Sequence, residues 1–532
     1  MRLTPSAHVD TFCRDRLPSL DQWPDFRFDY VSYPEQLNCA VELLSSTEPD
    51  NPCLRDTNGR VWTYGEVDDT TSRLAQVLAD EGLVPGNRVL LRGPNNPWLA
   101  LSWLAVLKAG GVVVTTMALL RPKEIATIVE LTAPALAICD HRFTDDLAAG
   151  APGLTTLTYG DDGPGGLSAR CAVTPASFLP VRTSADDVAM LAPTSGTTGV
   201  PKITMHFHRD VLAVADTFGA RLIKPRTDDV FTGTPPLGFT YGLGGLLLFP
   251  LRAGASTLLI ERATPAELAA AIAEHGVTVL STAPVAYRGM LAAGAAGQLG
   301  SLRRCVSAGE HLPRTVWEEF YQATGIKIID GIGSTEMLHV FIAAADEDIR
   351  PGSTGRAVPG YSATVVDPAG KPVPDGSPGR LAVRGPTGCR YLSDPRQAAY
   401  VQDGWNITGD TYTRDADGYF WFQARSDDMI ISAGYNIAGP EVEEALLGHP
   451  DVAEVAVVGA PDAARGVIVA AFVVLREGVD ASAAKVAELQ EFTKKSIAPY
   501  KYPRAISFVD ALPKTISGKT QRYRLREIAE QG

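Results

Sequence analysis

From Trp62 onward the apolar residues switch repeatedly between a helical period and short β-branched runs. Tyr64–Glu81 carries them at helical spacing, and NRVLLR at 87–92 reads as a strand. Pro97–Ala109 is helical again, Gly111–Thr116 is β-branched, and the helix Pro122–Leu131 precedes a strand at Ala135–Cys139. Such alternation predicts a parallel sheet covered by helices. Residues 1–60 read as an irregular lead-in with aromatic patches (Trp23, Phe26, Phe28, Tyr30) and one helix near Pro34–Leu44. Ala149–Pro175 is rich in Gly, Pro and Thr and reads as a surface excursion.

A second α/β block follows. It runs through helix His208–Gly219, a loop at Pro235–Gly245, strand Ser256–Leu259, helix Pro265–Glu274, strand Thr278–Thr282 and helix Val285–Ala292. Strand Arg304–Ser307, helix Pro313–Ala323 and strand Lys327–Gly331 complete it. Beyond Arg350 the pattern becomes short strands between Gly/Pro turns (Ala363–Val366, Gly379–Arg384, Gly418–Phe422), a small antiparallel barrel or sheet. After Asp427 comes a compact α+β unit: Met429–Ser432, helix Pro440–Gly448, strands Val452–Gly459 and Val467–Leu475, and helix Ala483–Ile497. The expected fold is therefore α/β: a large N-terminal domain, 1–426, of two stacked subdomains plus the small barrel, and a small C-terminal domain, 427–532.

Composition narrows the function. With 61 acidic against 48 basic residues the net charge is −13, which argues against a nucleic-acid surface. Seven scattered cysteines without C-x-x-C spacing make neither a disulfide framework nor a zinc site, and fit a reducing cytoplasm. The N-terminus lacks a signal-peptide core. The longest apolar run, Leu243–Leu251, is too short to span a bilayer.

Four polar stretches stand out. TSGTTGVPK at 194–202 packs hydroxyls (Thr194, Ser195, Thr197, Thr198) and glycines (Gly196, Gly199) ahead of Lys202, a loop able to wrap backbone N–H groups around phosphate; an ordinary turn has the same composition. It is not the P-loop consensus, because Pro201 separates Gly199 from Lys202. DGIGSTEM at 330–337 offers Glu336 as a carboxylate of the kind that holds Mg²⁺ beside phosphate, with Thr335 next to it and glycines 331 and 333 allowing close backbone approach. DGWNITGD at 403–410, followed by Arg425, supplies an acid and a guanidinium for a ribose, with Trp405 as packing. PKTISGKT at 513–520 ends in a P-loop-like GKT without the required glycine, and places Lys519 in the tail.

In this order, and with ARSDDMIISAGYNI at 424–437, these motifs resemble the adenylate-forming acyl- and aryl-CoA synthetase family. DGIGSTEMLHVF and SAGEHLP at 307–313 look most like benzoate-type ligases, and LKAGGVVVTTMALLRP at 107–122 is similar to 2-aminobenzoate (anthranilate)–CoA ligases. The chain departs from the family at Ile203, where glycine is usual. Ile332 stands where many members carry a tyrosine against the adenine, as it does in benzoate-type sequences.

The resemblance implies a two-step reaction: an aromatic carboxylate, 2-aminobenzoate or benzoate, becomes an acyl-AMP, and CoA then takes the acyl group. ATP, Mg²⁺ and CoA are the expected cofactors. It implies that Lys519, Thr335 and Glu336 carry the chemistry and that Glu336 holds the metal. Thr194, Ser195, Gly196, Thr197, Thr198, Gly199, Lys202 and Thr335 would hold the phosphates, with Asp410 and Arg425 on the ribose. Gly309, Glu310, Asp330 and Ile332 would frame the adenine. Thr217, Phe218, Phe239, Tyr241, Gly331, Gly333 and His339 would form the acyl pocket, with His339 equally readable as a core histidine and Asp216 expected to face solvent. The C-terminal domain is expected to be mobile, Asp427 to be its hinge, and Gly434 to line the CoA tunnel. A carrier protein stays open as the thiol acceptor, as does a homodimer. The alternatives are a stand-alone enzyme loading a carrier's phosphopantetheine and a degenerate nucleotide-binding regulator.

Overall fold

The computed structural model describes residues 3–161, 163–194, 201–425, 428, 430–432, 435–462, 466–497, 499–515 and 519–531. Two large sheets dominate. The first has six strands in the order Thr156–Tyr159, Leu136–Asp140, Arg88–Gly93, Val112–Met117, Val188–Thr194 and Lys202–Phe207. All neighbours are parallel except the last pair, a hairpin that sets Thr194 opposite Lys202. Every residue of Arg88–Gly93 is buried, as expected for a strand covered on both faces.

The second sheet has nine strands, ordered Arg356–Ala357, Val340–Ala343, Ile328–Gly333, Arg304–Ser307, Val279–Thr282, Val230–Gly233, Ser256–Leu258, Pro52–Arg55 and Val61–Thr63. Helix starts are written locally. Thr63 and Glu66 close a capping box on Tyr64–Asp80, Thr264 and Glu267 do so on Pro265–His275, and Asn96 caps Pro97–Lys108 with proline in its first turn. One apolar core joins both sheets, including Leu101, Val113 and Ala189 from one side and Phe231, Val279 and Val306 from the other.

Several expectations need correction. The lead-in is not wholly irregular, because Pro52–Arg55 pairs in parallel with Ser256–Leu258 across the second sheet. Its helix is only Cys39–Leu44. The excursion at 149–175 contributes the edge strand Thr156–Tyr159 and a helix, Leu167–Val173. The helix expected at His208–Gly219 is α only to Val214 and continues as a π-helix over Ala215–Ile223. A second π-helical stretch, Gly244–Leu248, follows the turn Thr240–Leu243 where a loop was expected.

Beyond residue 350 lies an antiparallel sheet of five strands: Ser362–Val366, Gly379–Arg384, Val401–Gln402, Trp405–Arg414 and Phe420–Arg425. DGWNITGD is therefore mostly strand, not loop; alternate side chains point into the sheet's core, which hides its strand character behind polar residues. The C-terminal residues build their own core. Val452–Asp462, Gly466–Leu475 and Ala505–Phe508 form a sheet, with Val442, Leu446, Val469 and Leu489 packed on one face and Phe472, Leu512 and Leu525 on the other. No described helix is long and apolar enough to cross a membrane.

Candidate active site

Parallel strands deliver their C-terminal ends to one side, and that is where the polar stretches meet. Thr194 ends one such strand, and Ile328–Gly333 ends just before the single turn Thr335–Met337. The two are tied by His206 on the hairpin's return strand, whose Nε2 lies 2.8 Å from the Thr335 carbonyl. Lys202 reaches across the same gap. Its ammonium donates to Glu336 Oε1 at 3.2 Å and to the Tyr391 hydroxyl at 2.7 Å. Tyr391 in turn donates to Glu336 Oε1 at 2.6 Å. Glu336 is 7% exposed, so this carboxylate is screened little by water and already takes a cation at hydrogen-bond distance. Among the described residues, Thr194 Oγ1 is buried without a hydrogen-bond partner. Ser195, Gly196, Thr197, Thr198 and Gly199 lie outside the described residues.

The ribose candidates stand directly opposite each other, Asp410 against Arg425, in the antiparallel pair of their two strands. Burial raises the Tyr400 phenol well above its ordinary range, and the Glu336 and Asp410 carboxylates both add to that rise, Glu336 the more. Next to this pair, Phe422 stacks on His311 at 5.3 Å, joining the strand to the loop that holds Gly309 and Glu310. Gly309 has φ +90°, a conformation favouring glycine, and a Cβ there would sit 3.8 Å from Cε of Lys519. Glu310 is pushed above the usual carboxylate range by burial, against the pull of Lys519, Arg522, Lys514 and Arg288. Lys519 itself donates its backbone N–H to Thr515 Oγ1 at 3.0 Å. Burial also raises Asp330 well above its ordinary range; among the described residues its Oδ1 is enclosed without a partner, at a small recess that it lines with Leu312, Trp317 and Ser353. Ile332 is half-buried on the same strand.

Several of the residues expected in the acyl pocket gather around His339. Phe218 stacks on His339 at 5.4 Å and Tyr241 lies 5.7 Å from the same ring. Phe249, which carries no polar signal in the sequence, completes this cage at 4.6 Å. Tyr241 also braces the sheet through hydrogen bonds to the carbonyls of Val306 (3.0 Å) and Thr282 (3.1 Å). Thr217 is buried and its hydroxyl bonds back to Ala213 at 2.6 Å, while Phe239 is half-buried before the Thr240 turn. At Gly331 and Gly333 the expected close approach is made by the neighbouring strand and the residue before it. A Cβ at either would meet the neighbouring chain at 2.7 Å, on Val340 Cγ1 and on the His339 carbonyl carbon. Asp216 does not face solvent; it accepts from Arg252 Nε at 2.8 Å and from the Tyr33 hydroxyl at 2.9 Å. Asp427 and Gly434 lie outside the described residues.

The histidines in and under this site make stability depend on pH. Burial pushes His206, His208 and His339 down to about 3 from an ordinary 6.5. Between these values the unfolded chain binds more protons than the folded one, so stability falls as pH drops through 6.5. From pH 7 to pH 5 each should cost about 2 kcal/mol, partly offset by the raised acids Asp330 and Glu310. Urea midpoints should be clearly lower at pH 5 than at pH 7; equal midpoints would contradict the neutral burial of these rings.

The chain matches the family model described as AMP-binding enzyme over residues 43–391, and the AMP-binding enzyme C-terminal domain over 441–519. It is 34% identical to a benzoate–CoA ligase of Thauera aromatica over 515 residues, covering 93% of this chain and 97% of that relative. A 3-hydroxybenzoate–CoA ligase of Aromatoleum sp. is 32% identical over 531 residues, covering 95% and 99%. Among solved structures, an anthranilate CoA ligase in complex with anthranoyl-AMP superposes with a TM-score of 0.90 at 33% identity, covering 94% of this chain and 98% of that one.

Proposed function

We propose that this chain, which belongs to the AMP-binding enzyme family, is an ATP-dependent aryl-CoA ligase. It activates an aromatic carboxylate, 2-aminobenzoate or benzoate, as the acyl-AMP with release of pyrophosphate, then transfers the acyl group to CoA with release of AMP. The observation that carries this reading is the meeting of Lys519, from the tail, with Gly309 and Glu310 of the large domain.

A carboxylate is a poor acyl donor because its leaving group would be oxide. Attack on the α-phosphorus of ATP replaces that group with AMP, but it brings an anion to a polyanion and needs cations in place. Lys519 supplies one, bridging the carboxylate and the α-phosphate. Lys202 and the 194–199 loop hold the outer phosphates, Thr335 the α-phosphate, and Asp410 with Arg425 the ribose. Asp330, whose Oδ1 has no partner among the described residues, suits the amino edge of adenine. The Glu336 carboxylate, buried and already accepting from an ammonium, fits a hard divalent cation, and Mg²⁺ bound there would neutralise phosphate charge. For thioester formation Lys519 has to withdraw. In this reading residues 427–532 rotate as a unit about Asp427, and Gly434 borders the path of the thiol.

In this reading Tyr241, half-buried at the edge of the packed rings of Phe218, Phe249 and His339, offers the acyl group an aromatic wall that favours a flat ring over an alkyl chain. The test is AMP release with CoA across benzoate, 2-aminobenzoate, hydroxybenzoates, cinnamates and short fatty acids. The highest kcat/KM should fall on 2-aminobenzoate or benzoate, with neighbours overlapping because one methylene is worth only about 1–3 kcal/mol. A preference for fatty acids would refute the aryl assignment. Turnover with a carrier protein but not with CoA would turn the reading toward carrier loading.

A further inference from the structure

We propose that Tyr391 is a positioning residue for Glu336, its hydroxyl committing one carboxylate oxygen to the protein so that the other faces a divalent cation. This rests on the reading of Glu336 as the metal carboxylate. A neutral phenol has one hydrogen to give. Tyr391 gives it to Glu336 Oε1 at 2.6 Å, so it receives from Lys202 Nζ at 2.7 Å, and that ammonium also reaches Oε1 at 3.2 Å. Among the described residues, these contacts with Glu336 converge on Oε1.

Tyr391 is held too firmly to follow a moving partner. It is 1% exposed, its ring meets Tyr400 edge-on at 5.8 Å, and its backbone N–H donates to Gln397 Oε1 at 2.9 Å. The residues on either side are bonded to the strand that carries Lys202, through Met205 N–H to the Arg390 carbonyl at 2.7 Å and Leu392 N–H to the Ile203 carbonyl at 2.9 Å. Arg390 is itself clamped by Asp210. When phosphate draws Lys202 away, the phenol therefore stays on Oε1 and the carboxylate keeps its orientation. Partners of this kind, one bond removed from a metal, change metal affinity or activity by about 10–100-fold when lost.

The experiment compares wild type with Tyr391→Phe, which keeps the ring and its packing. Thermal stabilisation is followed as Mg²⁺ is titrated at saturating β,γ-methylene-ATP. The Mg²⁺ concentration at half effect should rise about tenfold or more. In turnover assays, the KM for the aromatic acid and the rate from preformed acyl-AMP to thioester should stay near wild type. An unchanged Mg²⁺ midpoint overturns the proposal, as does an equal loss in both half-reactions. Glu336→Gln is run in parallel. If that variant also leaves the Mg²⁺ midpoint in place, it is the assignment of Glu336 that fails.

Discussion

Lys519→Ala should lower aryl-acid-dependent ATP–pyrophosphate exchange by about 10²–10³-fold while leaving thioester formation from preformed acyl-AMP nearly unchanged. The asymmetry follows from charge. In the first step a carboxylate approaches ATP, and an ammonium that bridges the two is worth most when negative charge is being concentrated. In the second step the attacking group is a thiol and the leaving group is AMP, so the same ammonium has no anion pair to join. Lys519 is exposed on the C-terminal unit, yet lies against Gly309 and acts on Glu310, so it is delivered to the site rather than built into its floor. Because it is exposed, its removal should leave the urea midpoint unchanged, which separates lost chemistry from lost folding. Exchange at the wild-type rate, or equal loss in both half-reactions, would remove Lys519 from the adenylation step.

The largest effect on stability is expected at Asp210. Arg390 is fully buried, its guanidinium 3.9 Å from the Phe207 ring centroid and 4.8 Å from that of Phe26, and it is paired with the equally buried Asp210. Asp210 also accepts from the Phe207 backbone N–H at 3.0 Å. Asp210→Ala leaves a charge in an aromatic box without its counter-ion and should cost about 3–5 kcal/mol. The double variant Asp210→Ala/Arg390→Met removes both charges and should recover most of that loss, since apolar replacement of a buried pair is often close to neutral. Urea unfolding followed by tryptophan fluorescence measures both. If the double variant is as unstable as the single one, the cost lies in the lost backbone cap and packing, not in the unpaired guanidinium.

Local pattern carried much of this molecule. The helices Tyr64–Asp80, Pro265–His275 and Pro97–Lys108 and the β-branched run Val112–Met117 depend on residues a few positions apart, and they formed close to where the pattern placed them. The motifs around Lys202, Glu336, Asp410 and Lys519 could be read only together: each short run alone also reads as an ordinary turn, strand end or solvated tail, and it is their order along the chain that is unusual. The parallel sheets then gathered several of them, because strand ends are where such a topology exposes backbone.

What only the tertiary structure decided are the contacts made at long range by residues of unremarkable type. Tyr391 meets Lys202 across 189 positions, and Arg390 meets Asp210 across 180. Phe249 lies in an apolar stretch that gives no hint of the packing around His339, and Pro52–Arg55 pairs in parallel with the distant Ser256–Leu258. Gly331 and Gly333 could be read as allowing a close approach, but the residues that make it, Val340 and His339, required the neighbouring strand to be in place. Period and capping are properties of a few adjacent residues, whereas the partner of a buried charge is set by which strands lie side by side, and that is settled only when the whole chain packs.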